Sequence, residues 1–242
     1  MIEFTKTEIV GWEPAIRGMR NPMNSWDKSD SLFLDEVTNY DKYSYWAHSI
    51  NDDVDIISED EIDNNFGDDD VFVGPVDLDL MMRLSKAGST DAKFRRMIVV
   101  YVDILAPLYW WKEFDTYKVG TVANSCSTMH KIQAKEFTRE DFSLEHLYET
   151  NTEAMDLIIR NLNVYRERFL ETKEKQDWWQ MIQMLPSTYN QKRTVMLNYE
   201  VLAGIYPKRK NHKLDEWHSF CEWILDLPYS EIITLDDTVL DF

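Results

Sequence analysis

The feature that most restricts the fold of this chain is a run of β-branched and aliphatic residues from Met97 to Ile104. Its nearly continuous apolar character predicts a strand that is buried on both faces. From Thr150 onwards the pattern is helical instead, because apolar residues recur at three- and four-residue spacing, at Met155, Ile158, Ile159, Leu162 and Tyr165. One buried strand region followed by a long helical half predicts an α+β fold rather than alternating βαβ units.

Glycine and proline residues predict where further elements begin and end. A short strand from Glu8 to Trp12 precedes a helix that stops near Arg20, because Pro22 follows. Three more predictions concern a helix capped by Asp77 that runs through Lys86 to Gly88, a helix from Leu108 to Tyr117 after Pro107, and a helix that ends at Leu185 before Pro186.

The remaining segments are assigned by composition and spacing. Gly120 to Ser127 is rich in small polar residues and predicts a loop. A third long helix is predicted from Gln191 to Tyr206, ended or kinked by Pro207, and a last one from about Leu214 to Leu227, with a short strand from Glu231 to Leu235. The stripe of the last helix comprises Trp217, Phe220, Cys221, Ile224 and Leu225.

Charge is distributed unevenly along the chain. The 44 acidic residues against 26 basic ones give a net charge of -18, which disfavours a nucleic acid polymer as partner. Ten acids and no base lie between Asn51 and Asp70, and we predict an acidic surface insertion over 51–74. A calcium loop is the alternative, but the ordered ligand spacing is missing. Bases concentrate between Lys192 and Lys213, where a small anion could bind.

Composition indicates one globular domain spanning 1–242. Hydrophobic residues make up 44% of the chain, so a sizeable core can form. The longest uncharged apolar stretch, Ile104 to Trp111, is far shorter than the roughly 18 residues that cross a bilayer. Two cysteines do not make a disulfide framework, and the first residues do not resemble a secretory signal. We therefore expect a soluble protein of the cytoplasm without a membrane partner.

Common catalytic fingerprints are missing from the sequence. It contains no dinucleotide or phosphate-loop glycine motif, no zinc-protease motif and no serine-hydrolase motif. His218 and Cys221 are one helical turn apart, but Cys221 belongs to the apolar stripe and no second ligand pair accompanies it. We predict no metal site.

Asn198 and Arg209 are the most informative pair. They are eleven residues apart, and at about 100° per residue this spacing returns to within about 20° of one helix face. An amide and a guanidinium on one face could contact two parts of a phosphate-bearing ligand, with Arg209 as a bidentate donor. A solvated basic face is the alternative.

The order of these features resembles the flavin-dependent thymidylate synthases. Leu185-Pro186 is followed after twelve residues by Asn198 and after eleven more by Arg209, then by Leu214 to Trp217. Upstream, Ala106 to Tyr109 leads into the segment from Lys112 to Lys118. The resemblance covers about residues 75–227 and implies a small mixed or antiparallel sheet packed with a long helical half.

The signature motif of that family is altered in this chain. Thr116, Tyr117 and Lys118 stand at the family's Arg-His-Arg, and only Lys118 keeps the charge. Four further positions differ: Asn124 replaces Glu, Cys126 replaces the substrate-contacting Ser, Thr128 replaces a nucleotide-binding Arg, and Ile182 replaces an Arg. The segment Thr90 to Arg96 lacks the family's His. Five nearby bases could compensate: Arg95, Arg96, Arg193, Lys208 and Lys210.

The resemblance implies reductive methylation of dUMP to dTMP, with FAD as cofactor and NADPH and methylenetetrahydrofolate as cosubstrates. It assigns the substrate to Arg209, Asn124, Cys126, Ser127 and Thr128, and FAD to Lys118, Tyr117, Thr116 and Asn198. No residue is assigned a catalytic role, and Cys126 is predicted to be a small loop residue rather than a nucleophile.

Two alternatives stay open. One is a nucleotide-binding protein without flavin chemistry, in a viral or mobile-element setting such as a phage. The other is a related flavoenzyme that modifies a different pyrimidine nucleotide. The family also implies a homotetramer, for which Trp110, Trp111, Trp178 and Trp179 are candidate interface residues.

Overall fold

The computed structural model describes residues 1–33 and 71–235. The strands are β1 (Glu3–Val10), β2 (Leu32–Phe33), β3 (Val71–Phe72), β4 (Val99–Pro107), β5 (Val122–Ser125) and β6 (Asn190–Asn198). The helices are α1 (Trp12–Arg20), α2 (Pro75–Ala87), α3 (Leu108–Phe114), α4 (Glu149–Thr172), α5 (Lys175–Met184), α6 (Tyr199–Arg209), α7 (Asp215–Leu225) and α8 (Glu231–Thr234). This architecture confirms the predicted α+β class.

Four strands form the main sheet in the order β1-β4-β6-β5. The pair β5 and β6 is antiparallel, and Asn124 lies opposite Thr194 and Ser125 opposite Arg193. Along β6, Val195 and Leu197 are buried whereas Lys192 and Thr194 are exposed. β2 and β3 form a separate antiparallel pair.

The contacts divide the chain into two compact units. The first unit consists of residues 1–7, 102–196 and 212–220, and the second of residues 8–101, 197–211 and 221–242 as far as these are described. The boundary falls inside β1, β4, β6 and α7. The prediction of a single domain over the whole chain stays a prediction.

The first unit contains two groups of packed apolar side chains. Met155, Ile159 and Leu162 of α4 are buried with Met181 of α5, and Ile158 and Tyr165 pack against them as the helical spacing predicts. The second group is aromatic: Trp110 stacks on Phe114 with ring centres 5.0 Å apart, and its neighbours are Trp111, Trp217 and Phe220. Because Trp110 and Trp111 are fully buried inside the chain, they do not form an exposed interface.

The second unit is organised around buried polar and aromatic contacts. Trp12 at the start of α1 packs edge-on against Tyr199 and Tyr229. The last residue of α1, Arg20, donates from Nε to Asp77 of α2 over 2.6 Å, and both side chains are buried. This ion pair therefore joins α1 to α2.

Helix ends that depend on proline and glycine agree with the predictions. α1 ends at Arg20, Gly88 terminates α2, Pro107 is the N-cap of α3, and α5 ends at Met184 before Pro186. Two details differ. Asp77 does not cap α2, since Gly74 is the N-cap and Asp30 accepts from the first free amides. β4 is not buried on both faces, since its side chains alternate and Tyr101 is exposed.

Three segments have a different secondary structure from the one predicted. The predicted helix from Gln191 to Tyr206 is strand β6 followed by helix α6, because residues up to Asn198 pair within the sheet. Part of the predicted loop from Gly120 to Ser127 is strand β5, for the same reason. The predicted strand from Glu231 to Leu235 is one helical turn, α8, whose Ile232 and Ile233 are both buried.

The acidic run from Asn51 to Asp70 lies outside the described residues, so the insertion and the calcium-loop alternative stay untested there. The end of the predicted loop over 51–74 is described and differs, because Val71–Phe72 pairs with β2 as strand β3. Among residues 1–33 and 71–235, no helix is both long and apolar enough to cross a membrane.

Candidate functional site

The predicted cofactor residues of the first unit follow the end of α3. The Thr116 hydroxyl donates to the carbonyl of Glu113 over 2.7 Å, which satisfies one of the last carbonyls of the helix. The Tyr117 ring meets Trp217 edge-on at 6.1 Å and is half-buried. Lys118 is exposed. Lys118 is therefore the member of this group whose charge is accessible to a ligand.

The predicted substrate residues begin on an edge strand. All four residues of β5 are exposed, and Asn124 projects from the same side of the sheet as Thr194. At the next residue the chain stays attached to β6, because Cys126 donates its amide to the Lys192 carbonyl over 2.9 Å. The Gln191 side chain also donates to the Cys126 carbonyl, over 2.8 Å.

The segment after Cys126 forms a turn held by its own side chains. The Ser127 hydroxyl accepts from the amides of Met129 and His130, at 3.2 and 2.9 Å. Trp178 of α5 donates from its indole to the Met129 carbonyl over 3.0 Å. Thr128 is half-buried within this turn. The predicted substrate segment is thus tethered to β6 at one end and to α5 at the other.

Asp103 lies on the same exposed side of the sheet, on β4. It accepts from the Thr194 hydroxyl at 2.5 Å and from the Lys192 ammonium at 2.9 Å. These two contacts hold the pKa of the Asp103 carboxyl below its ordinary value. Lys192, the first base of the basic segment, is therefore already partly neutralised.

Glu113 is a functional candidate that the sequence analysis did not identify. Its carboxylate accepts from the Trp217 indole at 3.2 Å and lies 3.3 Å from His212 Nε2. His212 Nδ1 accepts from the Leu214 amide, so Nε2 carries the proton of the neutral ring. Glu113 and His212 are 99 positions apart, and no spacing pattern in the sequence connects them.

The five bases proposed to compensate for the lost family arginines have different environments. Arg95 is buried and bound to Glu200 and the Ile232 carbonyl, so it is committed to the second unit's own structure. Arg96 donates to Ser89 on the surface. Lys208 is exposed, and Lys210 lies 5.4 Å from the Tyr206 ring centre. Arg193 contacts Asp115, Gln191 and the Trp111 ring, all in the first unit.

Asn198 and Arg209 belong to the second unit, at opposite ends of α6. Asn198 has extended backbone angles and is the N-cap, and its side-chain oxygen accepts from the Val201 amide at 3.0 Å. The prediction that both residues project from one face of a longer helix was therefore wrong, because the helix begins after Asn198. The Asn198 NH₂ group remains a donor, and Arg209 is half-buried at the last turn.

Cys221 has the buried position that its place in the apolar stripe predicts. Burial raises the pKa of its thiol to about 11. Of the stripe residues, Leu225 is instead exposed. Within the described ranges, no group of three or more His, Cys, Asp or Glu side chains is placed to hold a metal ion.

Comparison with known proteins finds similarity in structure but not in sequence family. No protein-family model matches the sequence, and no curated protein matches it. A crystal structure of thymidylate synthase X from Helicobacter pylori with FAD and dUMP superposes over 99% of this chain and 100% of that one, with a TM-score of 0.61 and 13% identity. The fold is that of a flavin-dependent thymidylate synthase.

A second structure supports the same conclusion. It is the flavin-dependent thymidylate synthase of Helicobacter pylori complexed with FAD and dUMP, and it covers 97% of this chain and 98% of its own, with a TM-score of 0.60 and 13% identity. At this identity the likeness establishes the thymidylate synthase X fold alone.

Proposed function

We propose that this protein binds FAD and dUMP and catalyses reductive methylation of dUMP to dTMP, with methylenetetrahydrofolate as carbon donor and NADPH as reductant. The observation that carries the proposal is the likeness in fold, over nearly the whole of both chains, to a protein crystallised with FAD and dUMP. The ordered resemblance of Pro107, Pro186, Asn198 and Arg209 to the family pattern supports it further.

The side chains assigned to FAD have chemistry that suits it. Bound FAD supplies hydride transfer, and its diphosphate and ring carbonyls accept hydrogen bonds. Lys118 offers an exposed ammonium, and Asn198 offers NH₂ donors because its oxygen is occupied by the Val201 amide. Thr116 and Tyr117 adjoin Lys118. Because the Thr116 hydroxyl donates its proton to the Glu113 carbonyl, its oxygen can only accept a hydrogen bond from a ligand.

The side chains assigned to dUMP are donors and acceptors of moderate strength plus one guanidinium. Asn124 and Cys126 are exposed, Thr128 is half-buried, and the Ser127 oxygen already accepts two amides, so its hydroxyl is left to donate. Arg209 supplies the charge-assisted contact to the nucleotide. Such groups orient and polarise a uracil ring without a protein nucleophile.

Flavin binding is the first test of the proposal. The purified protein is mixed with FAD, separated from free cofactor by gel filtration, and its visible absorption is recorded. We expect the flavin band to travel with the protein and to weaken in Lys118→Ala. The matched control is Lys112→Ala, another exposed lysine of the same unit. A colourless wild-type protein would overturn the flavoenzyme proposal.

Nucleotide binding is the second test. In Arg209→Ala the affinity for dUMP, measured by calorimetry, should fall about 10- to 100-fold, the range that one charge-assisted hydrogen bond supplies. Lys208→Ala is the control, since it removes a neighbouring exposed base. Equal affinities of wild type and Arg209→Ala would leave Arg209 as a solvated helix residue.

Nucleotide binding without flavin chemistry is a second candidate, and two observations favour it. Of the Arg-His-Arg positions only Lys118 is charged, and the Thr116 hydroxyl is engaged with the chain itself. This candidate predicts dUMP binding with no flavin band and no dTMP formed from dUMP, methylenetetrahydrofolate and NADPH. A modified nucleotide other than dTMP in the same assay would favour the related pyrimidine flavoenzyme instead.

Assembly and location remain part of the proposal. We infer a cytoplasmic homotetramer, as the family implies, and its mass in solution tests this. Trp178 is half-buried and Trp179 is partly exposed, so these are the two remaining tryptophans of the four candidates for an interface. A monomer by light scattering at micromolar concentration would contradict the assembly.

A further inference from the structure

Arg193 occupies a position between the two segments assigned to ligands in the first unit. Its Nη1 donates to Asp115 over 2.7 Å, and Asp115 directly precedes the cofactor segment 116–118. Its Nε donates to the side-chain oxygen of Gln191 over 3.0 Å. The same Gln191 side chain donates to the carbonyl of Cys126, in the substrate segment. A continuous series of contacts thus links both segments through this guanidinium.

The guanidinium is held rigidly by its surroundings. Its central carbon lies 4.1 Å from the ring centre of Trp111, a cation–π contact. Trp111 is itself fixed, because it is buried and its indole donates to the Gln191 main-chain carbonyl over 2.9 Å. Gln191 is buried as well. The guanidinium is therefore oriented before any ligand arrives, which lowers the entropic cost of binding.

Arg193 differs from Arg95 in how many of its guanidinium nitrogens have protein partners. All three nitrogens of the Arg95 guanidinium have partners, since Nε and Nη2 contact Glu200 and Nη1 donates to the Ile232 carbonyl. Arg193 Nη2 takes part in no hydrogen bond or ion pair within the described residues. Its aspartate partner is half-exposed, whereas the Arg193 side chain is only 14% exposed.

We propose that Arg193 is a further nucleotide-binding residue, whose guanidinium holds the phosphate monoester of the substrate through Nη2 and Nη1. This inference rests on the proposed function, namely that the chain binds a pyrimidine nucleotide. It supplies a charge in place of the one lost where Thr128 replaces an arginine of the family pattern, since Arg193 lies opposite Ser125 on β6 and its partner Gln191 contacts Cys126. Asp115 restrains the guanidinium and competes with the phosphate for it.

The test compares dUMP with deoxyuridine, which lacks the phosphate, by titration calorimetry. In Arg193→Gln the affinity for dUMP should fall about 10- to 100-fold, as expected for a lost charge-assisted contact, while deoxyuridine binds as in wild type. Arg193→Lys keeps the charge, secures a folded variant, and should lose less. Asp115→Asn should bind dUMP more tightly, because a competing carboxylate is gone.

Arg139→Gln is the matched control, because Arg139 also pairs with an aspartate of the first unit, Asp156, but on the surface. Its affinity for dUMP should not change. Unchanged dUMP affinity in Arg193→Gln and Arg193→Lys overturns the inference while leaving the proposed function intact. Equal losses for dUMP and deoxyuridine also overturn it, since they indicate a structural role. Failure of the wild type to bind dUMP is the separate failure of the proposed function.

Discussion

Each compact unit contains an arginine paired with an aspartate, and the two pairs differ in their surroundings. In the second unit Asp77 is fully buried and accepts from Arg20, from the hydroxyls of Ser29 and Ser31, and from two backbone amides. In the first unit Asp115 is half-exposed and accepts from Arg193. A buried carboxylate that accepts five hydrogen bonds fixes chain segments to one another, whereas a half-exposed pair is open to a ligand.

The largest expected effect is on the buried Arg20–Asp77 pair. Asp77→Ala should lower the free energy of unfolding by about 3–5 kcal/mol, because it leaves the buried Arg20 guanidinium without a counter-charge. Urea denaturation followed by circular dichroism measures this loss. Asp79→Ala is the control on the same helix, and removes an exposed pair with Arg83 that is worth at most about 1 kcal/mol. Similar losses of unfolding free energy in the two variants would show that the buried Asp77 pair stabilises the fold no more than the exposed Asp79 pair does.

The same pair should give stability a particular dependence on pH. Burial alone would raise the pKa of Asp77, but hydrogen bonds from Ser29, Ser31 and Arg20 outweigh it and lower the pKa. A lowered pKa stabilises the fold fully above the ordinary aspartate pKa of about 4, and this contribution is lost as the pH falls through the folded-state value. The stability difference between wild type and Asp77→Ala should therefore be constant near neutrality and shrink in acid. A stability difference that grows in acid would mean that the pKa of Asp77 is raised in the folded protein, which contradicts this prediction.

A smaller loss is expected where the start of α2 contacts Asp30. A Cβ at Gly74 would lie 2.3 Å from the Asp30 side-chain carbon, so Gly74→Ala must displace the carboxylate that accepts from Val76 and Asp77. We expect a cost of about 1–3 kcal/mol by thermal and urea unfolding. Gly204→Ala is the matched control, because its Cβ meets nothing within 4 Å and alanine favours a helix by about 1 kcal/mol. Equal free energies of unfolding for Gly74→Ala and Gly204→Ala would contradict a close contact between residue 74 and Asp30.

The half-exposed Arg193–Asp115 pair should matter little for stability. Asp115→Asn should change the free energy of unfolding by less than about 1 kcal/mol, because the carboxylate is half in solvent. The same urea experiment measures it beside Asp77→Ala. If Asp115→Asn lowers the free energy of unfolding as much as Asp77→Ala does, the Arg193–Asp115 pair stabilises the fold, and the assignment of Arg193 to a phosphate is weakened.

The smallest effect is expected from modification of a cysteine. Cys126 is exposed and Cys221 is buried, with a thiol pKa raised by burial to about 11. A disulfide reagent at neutral pH should therefore label one thiol quickly in the native protein and the second only after unfolding. Labelling of Cys126 should leave the melting temperature unchanged. Rapid native labelling of both thiols would show that the second unit opens readily.

Local sequence signals predicted the parts of the fold that depend on neighbours in the chain. The spacing of Met155, Ile159 and Leu162 is a property of one helix, so α4 could be predicted with the correct buried face. The helix boundaries at Gly88 and Pro107 follow from backbone restrictions of single residues. These signals need no knowledge of what the element packs against.

Strands that depend on a partner could not be predicted in this way. Val195 and Leu197 fit a helical pattern when combined with Val201 and Leu202, and they fit a strand by their own alternation. Pairing with β5 decides between the two, and it also makes a strand of the polar segment Val122–Ser125. Strand formation depends on cross-strand contacts more than on the residues themselves.

The candidate site shows the same division. The sequence alone determined which residue types stand at the positions that the resemblance assigns to cofactor and substrate, and that 116, 128 and 182 lack the arginines of the resembled pattern. Whether each polar group is engaged depended on the tertiary structure: Asn198 became a helix cap, and Arg95 became a buried structural ion pair. The fold also packs the Arg193 guanidinium on Trp111 and joins it to Asp115 and Gln191. The physical reason is that hydrogen bonds and charge pairs join residues far apart in the chain, and their partners exist only once the chain has folded.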